Sequence, residues 1–83
     1  MAGVKGKVAL ITGGASGIGE ASARLLAAEG ATVLVADVDA ARGEQVASEI
    51  GAAAEFVALD VSSESDWQIA ITGIVERHGR LDV

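Results

Sequence analysis

The chain predicts an α/β fold built on a parallel sheet, and three observations carry that prediction. Short apolar, β-branched runs alternate with longer stretches of helical period, in the order β-α-β-α-β-α-β. Strands separated by helices of ten or more residues require parallel pairing with right-handed crossovers. A glycine-rich turn, T-G-G-A-S-G-I-G from Thr12 to Gly19, joins the first strand to the first helix. No proline interrupts the pattern.

The elements follow in order. Lys7 to Thr12 holds a continuous apolar run, the mark of a strand buried on both faces. From Gly17 to Glu29 the apolar positions Ile18, Ala21, Leu25 and Ala28 recur at helical spacing and predict an amphipathic helix, which Gly30 stops. Ala31 to Asp37 (A-T-V-L-V-A-D) reads as the second strand. Asp39 is placed to cap a helix that runs to Ile50, with Val46 and Ile50 on one face and Gly51 beyond its end. Gly43 inside that helix costs roughly 1 kcal/mol against Ala.

Glu55 to Leu59 is the third strand. Ser62 or Ser63 caps the next helix, and Ser63 with Asp66 has capping-box spacing. That helix presents Trp67, Ile71, Ile74 and His78 on one side, and Gly79 closes it. Leu81, Asp82 and Val83 read as the first residues of a fourth strand.

Composition narrows the function classes. A chain of 83 residues is one domain at most, and its hydrophobic share of 51% is too high for disorder. With one Phe, one Trp and no Tyr, the core must come from Val, Ile, Leu and Ala. The net charge is −6 and only six Lys and Arg are present, which argues against a nucleic-acid partner. There is no cysteine for disulfides or thiolate metal sites, and no apolar run long enough to span a membrane. The opening M-A-G-V-K-G-K has no apolar signal core, so a cytoplasmic protein is expected. No His, Asp or Glu cluster has metal-ligand spacing. His78, near a helix C-terminus, reads as a complement to the helix dipole, and Trp67 as a packing residue. Glu44, Glu49, Glu64 and Glu76 read as solvated helix faces.

The glycine turn points to an anion. A strand that runs into a glycine turn and then a helix brings bare backbone N–H groups to a helix N-terminus, where a phosphate can sit. Gly13 ends the strand in a conformation other residues avoid. Gly17 lets the chain approach a pyrophosphate, and Gly19 permits close packing of helix on sheet. Ser16 can cap the helix, and its hydroxyl can also reach a phosphate oxygen. Gly14 and Gly19 have the spacing of a triphosphate loop, but Glu20 and Ala21 stand where that loop needs Lys and Ser or Thr. Ala15 likewise breaks a G-x-G-x-x-G reading, and what remains is Gly13-x-x-x-Gly17-x-Gly19.

Two carboxylates fall at the same sheet edge. Asp37 ends the second strand, where ligands of open parallel sheets bind. It can accept hydrogen bonds from both ribose hydroxyls of adenosine while its charge repels a 2′-phosphate, which favours NAD over NADP. Arg42 is the only basic side chain nearby in sequence. The bland reading of Asp37 is a solvated strand end. Asp60, after the third strand, either accepts from an adenine amino group, with the Val61 N–H donating to the ring, or caps the following helix.

Taken together, T-G-x-x-x-G-I-G, Asp37 and Asp60-Val61 resemble the short-chain dehydrogenase/reductase family. The closing G-R-L-D-V looks like the segment just before that family's Asn-Asn-Ala-Gly strand end. The resemblance implies a Rossmann-type doubly wound parallel sheet, of which residues 1–83 would be the N-terminal NAD-binding portion. It implies an oxidoreductase that moves hydride between NAD(H) and a small secondary alcohol or ketone, working as a homo-oligomer. Gly13, Ser16, Gly17, Ile18 and Gly19 would surround the pyrophosphate, Asp37 would hold the ribose, and Asp60 and Val61 the adenine. The family's general acid/base is a Tyr, aided by a Lys four residues later, a Ser and an Asn. This chain has no Tyr and no Asn, and its only lysines are Lys5 and Lys7, so no catalytic residue carries over.

The resemblance therefore implies that the chain alone is inactive. It also implies that the chain is oligomeric, aggregated or partly molten, because the fourth strand that would cover the first is cut short. Two other readings stand beside this one: a non-catalytic nucleotide-binding or regulatory module, and a Rossmann-like methyltransferase.

Overall fold

A computed structural model describes residues 3–83; Met1 and Ala2, which open the M-A-G-V-K-G-K stretch, lie outside the described residues. The element order is β1 (Val8–Thr12), α1 (Gly17–Ala28), β2 (Thr32–Asp37), α2 (Ala40–Ile50), β3 (Ala54–Ala58) and α3 (Glu64–His78). The strands pair in parallel in the order β1-β2-β3, with Val8 opposite Thr32 and Asp37 opposite Ala58.

Helices cover both faces of the sheet, and the period-two alternation of β2 shows how. Val33 and Val35 point into a cluster with Ala23, Leu26 and Ala27 of α1 and with Val46, Ala47 and Ile50 of α2. Leu34 and Ala36 point the other way, Leu34 toward Ile74 of α3 and Ala36 toward Ala70. The predicted face of α3 is therefore correct: Ile74 is buried, and Trp67, Ile71 and His78 are half-buried around it. The result is the doubly wound arrangement, with β2 buried on both sides.

The fourth strand stops short of a regular element. Residues 81–83 are not a strand, yet they run beside β1 on the side away from β2. Asp82 N–H donates to the Val8 carbonyl at 2.9 Å, and Leu10 N–H donates to the Val83 carbonyl at 2.8 Å. The Asp82 side chain also accepts from Val8 N–H at 2.9 Å and is gripped by both arms of Arg80. Three residues make the first rungs of a ladder and no more.

Two local expectations are corrected. The apolar stripe of α1 faces outward: Ile18 is 87% and Leu25 52% exposed, whereas Ala23 is fully buried. The side of α1 that packs on the sheet carries Ala23, fully buried, with Leu26 and Ala27 half-buried beside it. Gly43 is more than a weak point in α2. A Cβ there would fall 2.3 Å from the Phe56 ring, so the missing side chain is the slot into which that ring packs.

Gly43→Ala is accordingly expected to destabilise the chain. Better helix propensity contributes about 1 kcal/mol, but overpacking costs typically about 1–3 kcal/mol. The net loss of about 1 kcal/mol should lower Tm by about 4–8 °C in thermal unfolding followed by circular dichroism. An unchanged or raised Tm would show that Phe56 moves aside freely.

The caps are mostly as predicted. Asp39 accepts from Arg42 N–H at 3.0 Å, and Ser63, not Ser62, caps α3 by accepting from Asp66 N–H at 3.2 Å. The capping box does not close on itself, because the Asp66 carboxylate reaches back to Asp60 N–H at 3.0 Å instead of to Ser63. His78, at the basic end of α3, pairs with Glu55 at 3.1 Å alongside Arg77.

Candidate functional site

All three strands deliver their C-terminal ends to one edge of the sheet, and the sequence-predicted residues lie there. The turn after β1 carries Gly13 and Gly17 at φ +64° and +58°, the left-handed region that favours glycine. A Cβ on either would meet nothing within 4 Å, so what glycine supplies at these two positions is backbone conformation. Gly19 is the opposite case. A Cβ there would fall 2.2 Å from the Gly13 carbonyl oxygen and 2.7 Å from its carbon. The close approach that needs Gly19 is thus between α1 and the turn itself, not between helix and strand.

The turn is laced to β2. Gly14 N–H donates to the Ala36 carbonyl at 3.1 Å, and Ala15 N–H donates to Asp37 Oδ2 at 3.1 Å. Asp37 Oδ1 accepts from Asp39 N–H at 3.0 Å. The Asp39 donor above all holds the Asp37 carboxyl below the ordinary aspartate range; burial opposes it, and the Ala15 and Val38 backbone donors add smaller downward effects. The carboxylate is therefore ionised and fixed in place.

Ser16 occupies the N-cap position in extended conformation, but its side chain makes no capping bond, contrary to expectation. The first intrahelical bond runs from Glu20 N–H to the Ser16 carbonyl at 3.2 Å. The amides of Gly17, Ile18 and Gly19 precede it and have no helical acceptor. They sit at the positive end of the α1 dipole, with nothing from Ser16 to occupy them.

A shallow cleft of about 290 Å³ opens beside the turn, lined by Gly13, Asp37, Val38, Leu59, Asp60 and Val61. Four of the eight predicted residues are thus brought together on its wall. Ser16, Gly17, Ile18 and Gly19 lie outside the lining, on the helix start that follows Gly13. Two apolar side chains mark the cleft, Val38 at 72% and Val61 at 57% exposure.

Asp60 does not cap α3. Its Oδ1 accepts from both the backbone N–H and the hydroxyl of Ser62, at 2.9 and 2.7 Å, which organises the loop and holds its carboxyl below the ordinary range. The Trp67 indole N–H donates to the Val61 carbonyl at 2.8 Å, so this packing residue also anchors the loop.

Sequence reasoning missed Val38 and Leu59 as lining residues and Ala15 as the partner of Asp37. Position alone could have flagged the first two, since each adjoins a carboxylate at a strand end. The hydrogen bond across 22 residues leaves no local signal.

Arg42, the one cation that sequence places near Asp37, is turned away from it. Its guanidinium pairs with Glu20 on α1 at 2.6 Å. Among the described residues no group of three His, Cys, Asp or Glu could hold a metal ion, and no helix is long and apolar enough to cross a membrane.

Comparison with known proteins gives consistent matches. The family model described as short chain dehydrogenase matches residues 7–83. The chain is 54% identical over 79 residues to the sex determination protein tasselseed-2 of Zea mays, covering 94% of this chain and 24% of that protein. It is 48% identical over 80 residues to a 3-beta-hydroxysteroid dehydrogenase of Comamonas testosteroni, covering 96% and 32% respectively. A crystal structure of a Brucella melitensis 3-ketoacyl-(acyl-carrier-protein) reductase complexed with NADH superposes with a TM-score of 0.91 at 47% identity, covering 95% of this chain and 32% of that one. The chain thus spans about a third or less of the length of these relatives.

Proposed function

The chain belongs to the short-chain dehydrogenase family, and from that premise we propose that it is the NAD-binding portion of an oxidoreductase that moves hydride between NAD(H) and a secondary alcohol or ketone. One observation carries the reading: the glycine turn, Asp37 and Asp60-Val61 meet around a single cleft at the C-terminal edge of a parallel sheet.

The site's own chemistry fits a dinucleotide. The amides of Gly17, Ile18 and Gly19, with the Ser16 hydroxyl and the Gly13 turn, would hold the pyrophosphate. No side chain at Gly13 or Gly17 stands in its way. Asp37 would take the adenosine ribose, because a carboxylate oxygen that accepts one backbone N–H keeps a second lone pair for a hydroxyl. Asp60 and the Val61 N–H would meet the polar edge of adenine, with Val38 as an apolar wall.

Two features favour NAD over NADP. The Asp37 charge opposes a 2′-phosphate, and the neighbouring guanidinium is committed to Glu20. When bound, the nicotinamide supplies the hydride chemistry. The NADH in the Brucella melitensis structure and the dehydrogenase name of the Comamonas testosteroni relative support a nicotinamide cofactor and oxidoreductase chemistry. Proton transfer to or from the substrate falls to a residue outside this chain, which has no Tyr.

Titration with NADH should shift the backbone amide resonances of Gly17, Ile18 and Gly19, and S-adenosylmethionine should leave them unmoved. The same 83-residue sample should give no alcohol-dependent NADH production. Shifts confined to another part of the chain, or a response to S-adenosylmethionine alone, would overturn the proposal.

A further inference from the structure

Glu20 holds an awkward position. It lies in the first turn of α1, next to the unbonded amides that an anion would occupy. A bare carboxylate there would repel a pyrophosphate. Its side chain is only 19% exposed, and it is held by two arginines. Oε2 accepts from Arg24 Nε at 3.0 Å, and Oε1 accepts from an Arg42 terminal nitrogen at 2.6 Å. Arg24 is shared in turn with Glu49 at 2.5 Å. The network ties the start of α1 to α2.

Arg42 could have served a different end. It lies in the first turn of α2, and its N–H donates to Asp39 Oδ1 at 3.0 Å. Asp39 N–H in turn donates to Asp37 Oδ1 at 3.0 Å. Two hydrogen bonds therefore connect the backbone at Arg42 to the carboxylate at the end of β2. From that root the guanidinium stem runs to Glu20 on α1. Released from Glu20, so long a stem could swing back toward the carboxylate to which its own backbone is tied.

We infer that Glu20 is a specificity-positioning residue: by holding the Arg42 guanidinium against α1 it withholds a cation from the ribose position at Asp37, and so disfavours a 2′-phosphorylated dinucleotide. The inference rests on the ribose role proposed for Asp37. It makes discrimination a two-part device. Asp37 repels the extra phosphate, and Glu20 removes the side chain that would offset the repulsion. An arginine fork is well matched to a phosphate, so its release would matter.

The test is the ratio of NADPH to NADH dissociation constants in the full-length protein. A change in Glu20 that acts only on the pyrophosphate pocket moves both ligands together and leaves the ratio alone. Glu20→Gln, which keeps shape and removes charge, should lower the ratio about tenfold toward NADPH, the scale of one partly screened charge pair. The double variant Glu20→Gln/Arg42→Ala should return it to the wild-type value. Arg24→Gln, which breaks the network without freeing Arg42, should leave it unchanged.

An unmoved ratio in Glu20→Gln, with NADH still bound, would overturn the inference alone. Absence of NADH binding by the wild-type protein would overturn the dinucleotide reading and the inference with it. Arg42→Ala covers the case of a poorly folded Glu20 variant. It should not weaken NADPH, and a loss of NADPH affinity there would show that Arg42 already reaches the phosphate, which also overturns the inference.

Discussion

Gly19→Ala is expected to lower NADH affinity more than a hundredfold while leaving most of the fold in place. The added Cβ has no room, because it would lie 2.2 Å from the Gly13 carbonyl oxygen. That atom is backbone, so no rotamer change relieves the contact. Either α1 lifts from the turn or the turn shifts outward, and both displace the amides that face the pyrophosphate. Hydrogen bonds to a charged group are worth about 1.5–3 kcal/mol each, so misplacing two of these amides costs about a hundredfold or more in affinity. Overpacking of about 1–3 kcal/mol, offset by about 1 kcal/mol of improved helix propensity, should still allow the variant to fold. Gly17→Ala separates the causes. Its Cβ meets no protein atom within 4 Å, so its burden in the free protein is a left-handed backbone angle worth about 1–2 kcal/mol, and any further loss of NADH affinity comes from the methyl facing the pyrophosphate. Fluorescence titration with NADH on both variants, beside a thermal melt, checks this. Near-native NADH affinity in Gly19→Ala would refute the account of the turn.

Asp37→Ala should weaken NADH binding and narrow the preference over NADPH, and it should also disturb the apo protein. The variant loses the ribose acceptor and the repelling charge together. It also leaves Ala15 N–H without its acceptor, and Ala15 is buried. An orphaned buried donor costs about 1–3 kcal/mol. Asp37→Asn distinguishes the parts, because an amide oxygen can still accept from Ala15 while the charge is gone. It should recover stability better than specificity. Dissociation constants for both dinucleotides, with melting curves for both variants, check the separation. A wild-type NADPH to NADH ratio in Asp37→Ala would count decisively against the ribose assignment.

The same carboxylate sets an acid limit. Its folded-state pKa lies below its unfolded value, so the unfolded chain binds the proton more readily. The stability it contributes is therefore complete well above an unfolded pKa of about 3.9. It is lost as pH falls through the lower, folded value. Asp60 and Asp82, also shifted down, act in the same direction.

The strands, their parallel order and the caps at Asp39 and Ser63 were legible because each is local: a β-branched run, a turn residue, a side chain three residues from its donor. The coarse site was legible for the same reason, since strand ends and a glycine turn can be placed without knowing the packing. Legibility failed where two distant elements meet. In α1 alanines lie on both faces, so periodicity alone could not choose between the stripe with Ile18 and Leu25 and the one with Ala23 and Ala27. The choice is made by the packing of Ala23, Leu26 and Ala27 on Val33 and Val35, a contact between separate elements. Gly43 reads as a helix weakness until Phe56 is placed beside it. The Glu20–Arg42 pair joins residues 22 apart on different helices, and only the assembled fold brings them together.

The lacing of Ala15 to Asp37 has a consequence for redesign. The group that would choose between the two dinucleotides is also the peg that keeps the loop seated, so exchanging it to invert selectivity would unseat the loop at the same stroke. A gentler route starts from the far end of the neighbouring ion pair, where a neutral side chain could redirect an existing cation and leave the peg untouched.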